Sequence, residues 1–171
     1  MHITKDNINQ FINGTSMDCS NKGITHIEYI PDGITHLWCE HNKLTELPKL
    51  PEGITHLSCY SNKLTELTKL PESLISLWCR SNKLTELPKL PESLTGLDCR
   101  NNRLTELPIL PESLIGLYCY NNKLTELPKL PEGLVILNCE HNKLTYEITI
   151  DNIKEHNKLL KRKLILKRIC V

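Results

Sequence analysis

Ile34-Thr35-His36-Leu37-Trp38-Cys39-Glu40-His41-Asn42-Lys43-Leu44-Thr45-Glu46-Leu47-Pro48-Lys49-Leu50-Pro51-Glu52-Gly53 returns, lightly edited, every 20 residues through most of the chain. Cysteine marks the beat at Cys19, Cys39, Cys59, Cys79, Cys99, Cys119 and Cys139, and asparagine follows three residues later at Asn42, Asn62, Asn82, Asn102, Asn122 and Asn142. A fixed period of this length is the mark of a stacked solenoid, in which each unit buries its apolar face only against its neighbours. Within a unit, Ile34, Leu37, Cys39, Leu44, Leu47 and Leu50 are expected to point inward. The alternation L-x-C is that of a strand, which turns residues 36, 38 and 40 outward.

After the strand the chain has to turn. An asparagine amide both donates and accepts, so it can satisfy loop backbone groups that would otherwise be buried unpaired. Six asparagines in register predict a ladder down the stack. The return segment Leu47-Pro48-Lys49-Leu50-Pro51 cannot be helical, because its two prolines remove donors and fix φ. All 10 prolines fall in such segments or their equivalents, with Thr68 replacing one of them.

The ends differ from the repeat. Ile8, Phe11 and Ile12 share a helical face, with Thr4 or Asp6 as candidate caps, so residues 1–13 are expected to form a short helical N-terminal cap. The repeats run over 14–146. Tyr146 and Glu147 break the pattern, and Asp151 is a good N-cap for a helix over about 152–168. Residues 147–171 are therefore expected to form a basic helical C-terminal cap, with Ile153, Leu160 and Leu164 on one stripe and Leu159, Leu166 and Ile169 beside it. Such a cap could cover the last rung's open edge.

The whole chain is nearly neutral, with 21 basic and 20 acidic side chains, and steering of the whole chain toward nucleic acid or membrane is not expected. Residues 151–171 are the exception, at net +5. No apolar run follows Met1 and none reaches the ~18 residues of a membrane span, so neither a secretory signal nor a transmembrane helix is expected. His2 is not a myristoylation site, and Cys170 is too near the end for prenylation. Seven of the eight cysteines occupy one repeat position, which reads as a ladder of buried free thiols in a reducing compartment.

The motif L-x-x-L-x-C-x-x-N-x-L, joined by L-P-x-L-P, resembles the short, 20-residue bacterial-type leucine-rich repeat of effectors of the YopM and ubiquitin-ligase kinds. The cysteine before the asparagine and the Lys/Asn/Ile-rich background resemble more closely the leucine-rich repeat proteins of giant DNA viruses of the mimivirus kind. This resemblance covers roughly residues 14–146. It implies a leucine-rich repeat solenoid with a parallel β-sheet on the concave face, an extended, polyproline-like convex side and short helical caps. It also implies a cytoplasmic protein, in the host cell's cytoplasm if the source is viral. The catalytic domain of the ligases is not expected, because only about twenty-five residues follow the last unit.

Function is expected where the copies differ. The position before each cysteine reads Asp18, Trp38, Ser58, Trp78, Asp98, Tyr118 and Asn138. The position after it reads Ser20, Glu40, Tyr60, Arg80, Arg100, Tyr120 and Glu140, and a third outward column reads Ser16, His36, His56, Ser76, Gly96, Gly116 and Ile136. Both tryptophans and three of the five tyrosines thus share one face, and the core needs none of them. Trp, Tyr and Arg dominate interface hot spots. The candidate partner-binding residues are Trp38, Tyr60, Trp78, Arg80, Asp98, Arg100, Tyr118 and Tyr120, with Asp98 placed to orient both arginines and with Gly96 and Gly116 leaving a hollow.

No nucleophile, base and orienter come together in the pattern, so the expectation is a non-enzymatic module that binds a protein or peptide, with no catalytic residue, cofactor or small-molecule substrate. His36 and His56 lack a converging third ligand other than Glu40, so no metal is expected. The lysine column at 43, 63, 83, 123 and 143, with Arg103, and the glutamate column at 46, 66, 86, 106 and 126 read as a solvated, charge-paired surface. The alternative site is the basic tail at 154–168, which suits an anionic membrane or nucleic acid.

Overall fold

The computed structural model describes residues 1–169, apart from the side chains of Leu164 and of 167–169. The expectations for Leu164, Lys167, Arg168, Ile169 and Cys170 lie outside the described residues. The chain is a leucine-rich solenoid of stacked parallel coils closed by a C-terminal helix. The strands are β1 (His2–Ile3), β2 (Ile12–Asn13), β3 (Ser16–Asp18), β4 (His26–Ile27), β5 (His36–Trp38), β6 (His56–Ser58), β7 (Ser76–Trp78), β8 (Gly96–Asp98), β9 (Gly116–Tyr118) and β10 (Ile136–Asn138). The helix α1 spans Ile153–Ile169.

The main sheet runs β10-β9-β8-β7-β6-β5-β3-β2 and is parallel from β3 to β10. Equivalent residues pair without slip, so His36 faces His56, Leu37 faces Leu57 and Trp38 faces Ser58. A side-chain period of 2 makes this register strict, since a one-residue shift would turn every core leucine outward. The repeat leucines are buried, apart from half-buried Leu137 and Leu144 on the last coil, as are all seven ladder cysteines, of which Cys19, Cys39, Cys59, Cys79, Cys99 and Cys119 are wholly inaccessible. The return segments are extended and carry no helix, as their prolines require.

The expected ladder forms. Asn82 donates from Nδ2 to the carbonyls of Cys59 (3.0 Å) and Cys79 (3.1 Å), and its Oδ1 accepts from the Leu64 backbone at 3.0 Å. Asn62, Asn102, Asn122 and Asn142 repeat this pattern, so each side chain ties one coil to the coil before it. A second ladder was not foreseen. Ser73, Ser93 and Ser113 each place their hydroxyl within 2.8 Å of two carbonyls of the preceding coil. The signal was the exchange of Ser for Gly after Pro-Glu.

The ends differ from expectation in detail. The short helical segment within residues 1–13 is a single 3₁₀ turn at Ile8–Phe11, with Ile8 and Phe11 buried. The residue before that turn is Asn7, not Thr4 or Asp6, and its Oδ1 accepts from the Thr4 backbone at 2.9 Å. Gly14, at φ +60°, does not stop a helix. It turns β2 back as an antiparallel hairpin on β3, which covers the first edge of the sheet. At the other end Thr149 and Asn152 make a capping box around a 3₁₀ turn at Ile150–Asn152, and α1 follows directly, so Asp151 lies inside the turn and is not its cap.

Helix α1 is held by its first two turns. Asn157 pairs with both backbone groups of Leu130, at 2.9 and 2.8 Å, as a strand residue would. His156, 1 % exposed, joins the Pro128 carbonyl (3.0 Å) to the Tyr146 hydroxyl (2.6 Å). Ile148 and Ile153 close the core under the last coil. The helix therefore docks on the return segment and not on β10, and β10 has no further strand partner among the described residues. Leu159 and Leu166 do not flank a buried stripe but are exposed.

Replacing Asn82 by Ala strips the coil of these bonds and leaves the Leu64 N–H buried without a partner. The expected loss is about 2–4 kcal/mol, read from urea unfolding. Loss below ~1 kcal/mol would show that the ladder is dispensable. Burial also pushes the thiols of Cys19 and Cys59 up to about 12, so at pH 7 roughly one molecule in 10⁵ carries either thiolate. Native labelling by a thiol reagent is expected to be slow at the ladder and to rise sharply in urea. Rapid native labelling of Cys59 would contradict the core.

Candidate functional site

Because the sheet is in register, the outward columns become continuous rows, and they resolve into two adjoining groups. The first is aromatic. Trp38 and Trp78 sit two rungs apart yet lean together, with ring centroids 5.7 Å apart and planes inclined by 34°. Together they roof Ser58 on the rung between, which is wholly buried. His36 and His56 stack beside them at 4.5 Å with planes only 4° apart. The Thr55 hydroxyl directs its one proton to the Thr35 carbonyl at 3.0 Å, so at the 2.9 Å contact with His56 the ring Nδ1–H donates. Among the described residues no three His, Cys, Asp or Glu side chains converge as metal ligands.

The second group is charged. Asp98 lies between the two arginines, with its side chain 9 % exposed. Its Oδ2 accepts from Arg80 Nη1 at 3.2 Å, and its Oδ1 lies 3.2 Å from Arg100 Nε. The second contact is an ion pair without hydrogen-bond alignment, since Arg100 Nε is buried and makes no hydrogen bond. Arg80 lies over the Tyr60 ring at 3.9 Å from its centroid, a cation–π contact. Arg100 lies 5.5 Å from the Tyr120 ring centroid and 5.9 Å from that of Tyr118.

The structure thus places all eight candidate residues on one continuous face, with Asp98 between the arginines. The expected hollow is smaller than the sequence suggests. A Cβ at Gly116 would stand 3.8 Å from the Tyr118 ring, so that ring already leans over Gly116 and the space left lies at Gly96, beside Ser76. Trp78, 40 % exposed, rims that space. The rim itself was missed in the sequence. The residues just before the strands read Thr15, Thr35 and Thr55 in the first coils and Ile75, Thr95, Ile115 and Val135 further on, and the three apolar side chains among them are exposed.

Unpartnered polar atoms also favour this face. Among the described residues, five buried side-chain polar atoms have no partner within the protein, and four of them belong to its columns: Glu40 Oε2, Ser58 Oγ, Arg100 Nε and Asn138 Oδ1. Buried polar atoms are rarely left unpaired in a finished core. The lysine and glutamate columns do not pair with one another as expected. Within ion-pair distance Lys129 meets Glu112 at 2.6 Å and Lys163 meets Glu126 at 3.7 Å instead. The other ends of the long side chains remain in water, where pairing contributes little.

The fold finds counterparts among solved structures. No family model matches the chain, and no curated protein does. It is similar to the leucine-rich repeat domain of a Shigella effector, at 31% identity over 85% of this chain and 70% of that one, with a TM-score of 0.77. It is similar to YopM from Yersinia enterocolitica WA-314, at 33% identity over 78% of this chain and 34% of that one, with a TM-score of 0.66. The functional domain of InlJ from Listeria monocytogenes, which includes a cysteine ladder, is 33% identical over 81% of this chain and 32% of that domain, with a TM-score of 0.71. The chain thus spans about a third of YopM and of the InlJ domain.

Burial, and then the charge of His36 beside it, lower the pKa of His56. A histidine depressed in the folded state costs nothing above its unfolded value of about 6.5, and it removes stability as pH falls below that. NMR titration is expected to find His56 ionising below an ordinary histidine, with His36→Ala shifting it upward. A His56 midpoint at or above 6.5 would contradict the stacked pair.

Proposed function

The chain belongs to the leucine-rich repeat family, and we propose that it is a non-enzymatic interaction module that captures a protein partner on the outward, concave face of its sheet. The observation that carries this reading is the clustering of Trp38, Tyr60, Trp78, Arg80, Asp98, Arg100, Tyr118 and Tyr120 on that face, at columns the core does not need. Exposed Trp78 and half-buried Trp38, Tyr60, Tyr118 and Tyr120 beside partly desolvated arginines have the make-up of an interface centre. The similar structures named above include the leucine-rich repeat domain of a Shigella effector, and they support a protein partner in general terms.

A host-directed role in the cytoplasm belongs to the same proposal. Free, buried cysteines suit a reducing compartment. The cysteine before the asparagine and the Lys/Asn/Ile-rich background support a giant-virus source.

The test is affinity capture from cell lysate with mass spectrometry. Trp78→Ala with Arg100→Ala is expected to lower recovery of the captured partner at least tenfold with the fold intact by circular dichroism, while Lys49→Ala with Lys89→Ala on the return segments leaves recovery unchanged. Equal capture by both variants refutes the reading.

The second reading places binding on α1, where Lys154, Lys158, Lys161 and Arg162 are exposed beside exposed Leu159, Ile165 and Leu166. That combination suits an anionic membrane or nucleic acid. Lys158→Gln, Lys161→Gln and Arg162→Gln together would then abolish a salt-dependent binding to anionic vesicles or RNA. Deleting the helix is a poorer test, because His156 and Asn157 also anchor the last coil.

A further inference from the structure

We propose that the outward face selects one continuous partner segment whose charge runs basic, acidic, basic. This rests on the face being the binding surface and names the chemistry of what it takes. The column after the cysteines reads Glu40, Tyr60, Arg80, Arg100, Tyr120, Glu140 on six successive rungs, β5 to β10. Its charge is negative at each end, positive at the two central rungs and aromatic between. Rungs of a sheet lie ~4.8 Å apart, so the two glutamates stand roughly 24 Å apart, each about 10 Å from the nearer arginine.

The centre is built for a single carboxylate. Asp98 is buried between Arg80 and Arg100 and neutralises one of their two charges, which leaves a local excess of +1. It engages one nitrogen of each guanidinium. The remaining N–H groups of both arginines have no acceptor among the described residues, and Arg100 Nε is buried without a hydrogen bond. The Tyr60 ring holds the Arg80 plane at 3.9 Å, so little side-chain freedom is left to lose when a ligand arrives. An Asp or Glu carboxylate of the partner matches this charge and the planar fork of donors.

A polyanion does not match it. Counting Asp18, Glu40, Asp98 and Glu140 against Arg80 and Arg100, the face is net acidic. The lysines at 43, 63, 83, 123 and 143 stand past the turn, each followed by a glutamate three residues on, except the last. The ends of the face call for basic residues. Glu40 is half-buried at one end of the column, and Glu140 is exposed on the edge rung at the other. Between centre and ends, Trp78 and the space at Gly96 offer contact to an apolar side chain next to the partner's acidic residue.

A phage library of random 16-residue peptides panned against the intact protein tests this directly, since 16 residues span roughly 24 Å even as a helix. Peptides with a central Asp or Glu and Lys or Arg toward both ends are expected to be enriched. Arg80→Gln with Arg100→Gln should weaken them at least tenfold by fluorescence anisotropy at physiological salt. Glu40→Lys with Glu140→Lys, which leaves Asp98 and its arginines intact, should instead select peptides with acidic ends. Thermal melts confirm folding, and the glutamate pair carries the test should the arginine pair unfold.

Enriched peptides that need Trp78 and Tyr118 but lack the charge pattern overturn this proposal and leave the face as the binding surface. Peptides indifferent to Trp78→Ala and Tyr118→Ala, or no enrichment at all, overturn both.

Discussion

Every coil of this solenoid faces the same accounting problem at the end of its strand. The chain reverses beside the core, where backbone groups have neither a strand ladder nor a helix to pair with, and buried unpaired groups are costly. One asparagine per coil solves it, by donating to two cysteine carbonyls and accepting from a leucine N–H of the coil before. Because its partners lie on two coils, the same side chain that satisfies the turn also fixes the stacking register. The strands then need only three residues each, and the outward columns follow from that register.

The turn carries a second cost that the ladder helps to offset. The residue just before the asparagine, or before Lys22 in the first coil, is left-handed: Asn21, His41, Ser61, Ser81, Asn101, Asn121 and His141 have φ between 52° and 57°. Asn and His accept this conformation more readily than most residues, and Ser does so less. The gain is a backbone N–H aimed at the next coil, as in the 3.1 Å bond from His41 to the Tyr60 carbonyl. At Asn101 and Asn121 the side chains add a further link at 2.7 Å. The variable residue at this position therefore reports on backbone strain as well as on the surface.

The interior was legible because each of its demands recurs. Leucine, cysteine, asparagine and proline repeat at fixed positions, and one physical explanation serves all copies. The ends were not legible in the same way, since each occurs once. Asn13-Gly14 reads equally as a helix stop or a hairpin, and only pairing with Ser16 and Met17 decides for the hairpin. At the other end the anchoring residues are polar. A hydrophobic stripe points to Leu159 and Leu166, whereas His156 and Asn157 hold the helix, because its task is to satisfy the carbonyls and amides of a return segment that prolines deprived of a ladder. In the site, residue identities were legible and mutual contacts were not. No spacing rule foretells that Trp38 and Trp78 reach across a rung to bury Ser58, or that Tyr118 fills the space over Gly116.

Asp98 contributes geometry to the face more than it contributes stability to the fold. A carboxylate taken out of water between two arginines recovers its desolvation cost only in part, and an apolar residue of similar volume often serves the fold as well or better. The neighbouring rungs carry uncharged residues at this column, Trp78 and Tyr118, so the fold does not require a carboxylate there. What the aspartate does supply is geometry. It draws two long, flexible side chains from separate coils toward one point and leaves their outer N–H groups turned to solvent. The solenoid makes such an arrangement available because its core needs are met elsewhere. The outward positions are released from packing the core, and a single acidic residue on one rung can organise its neighbours without disturbing the stack beneath.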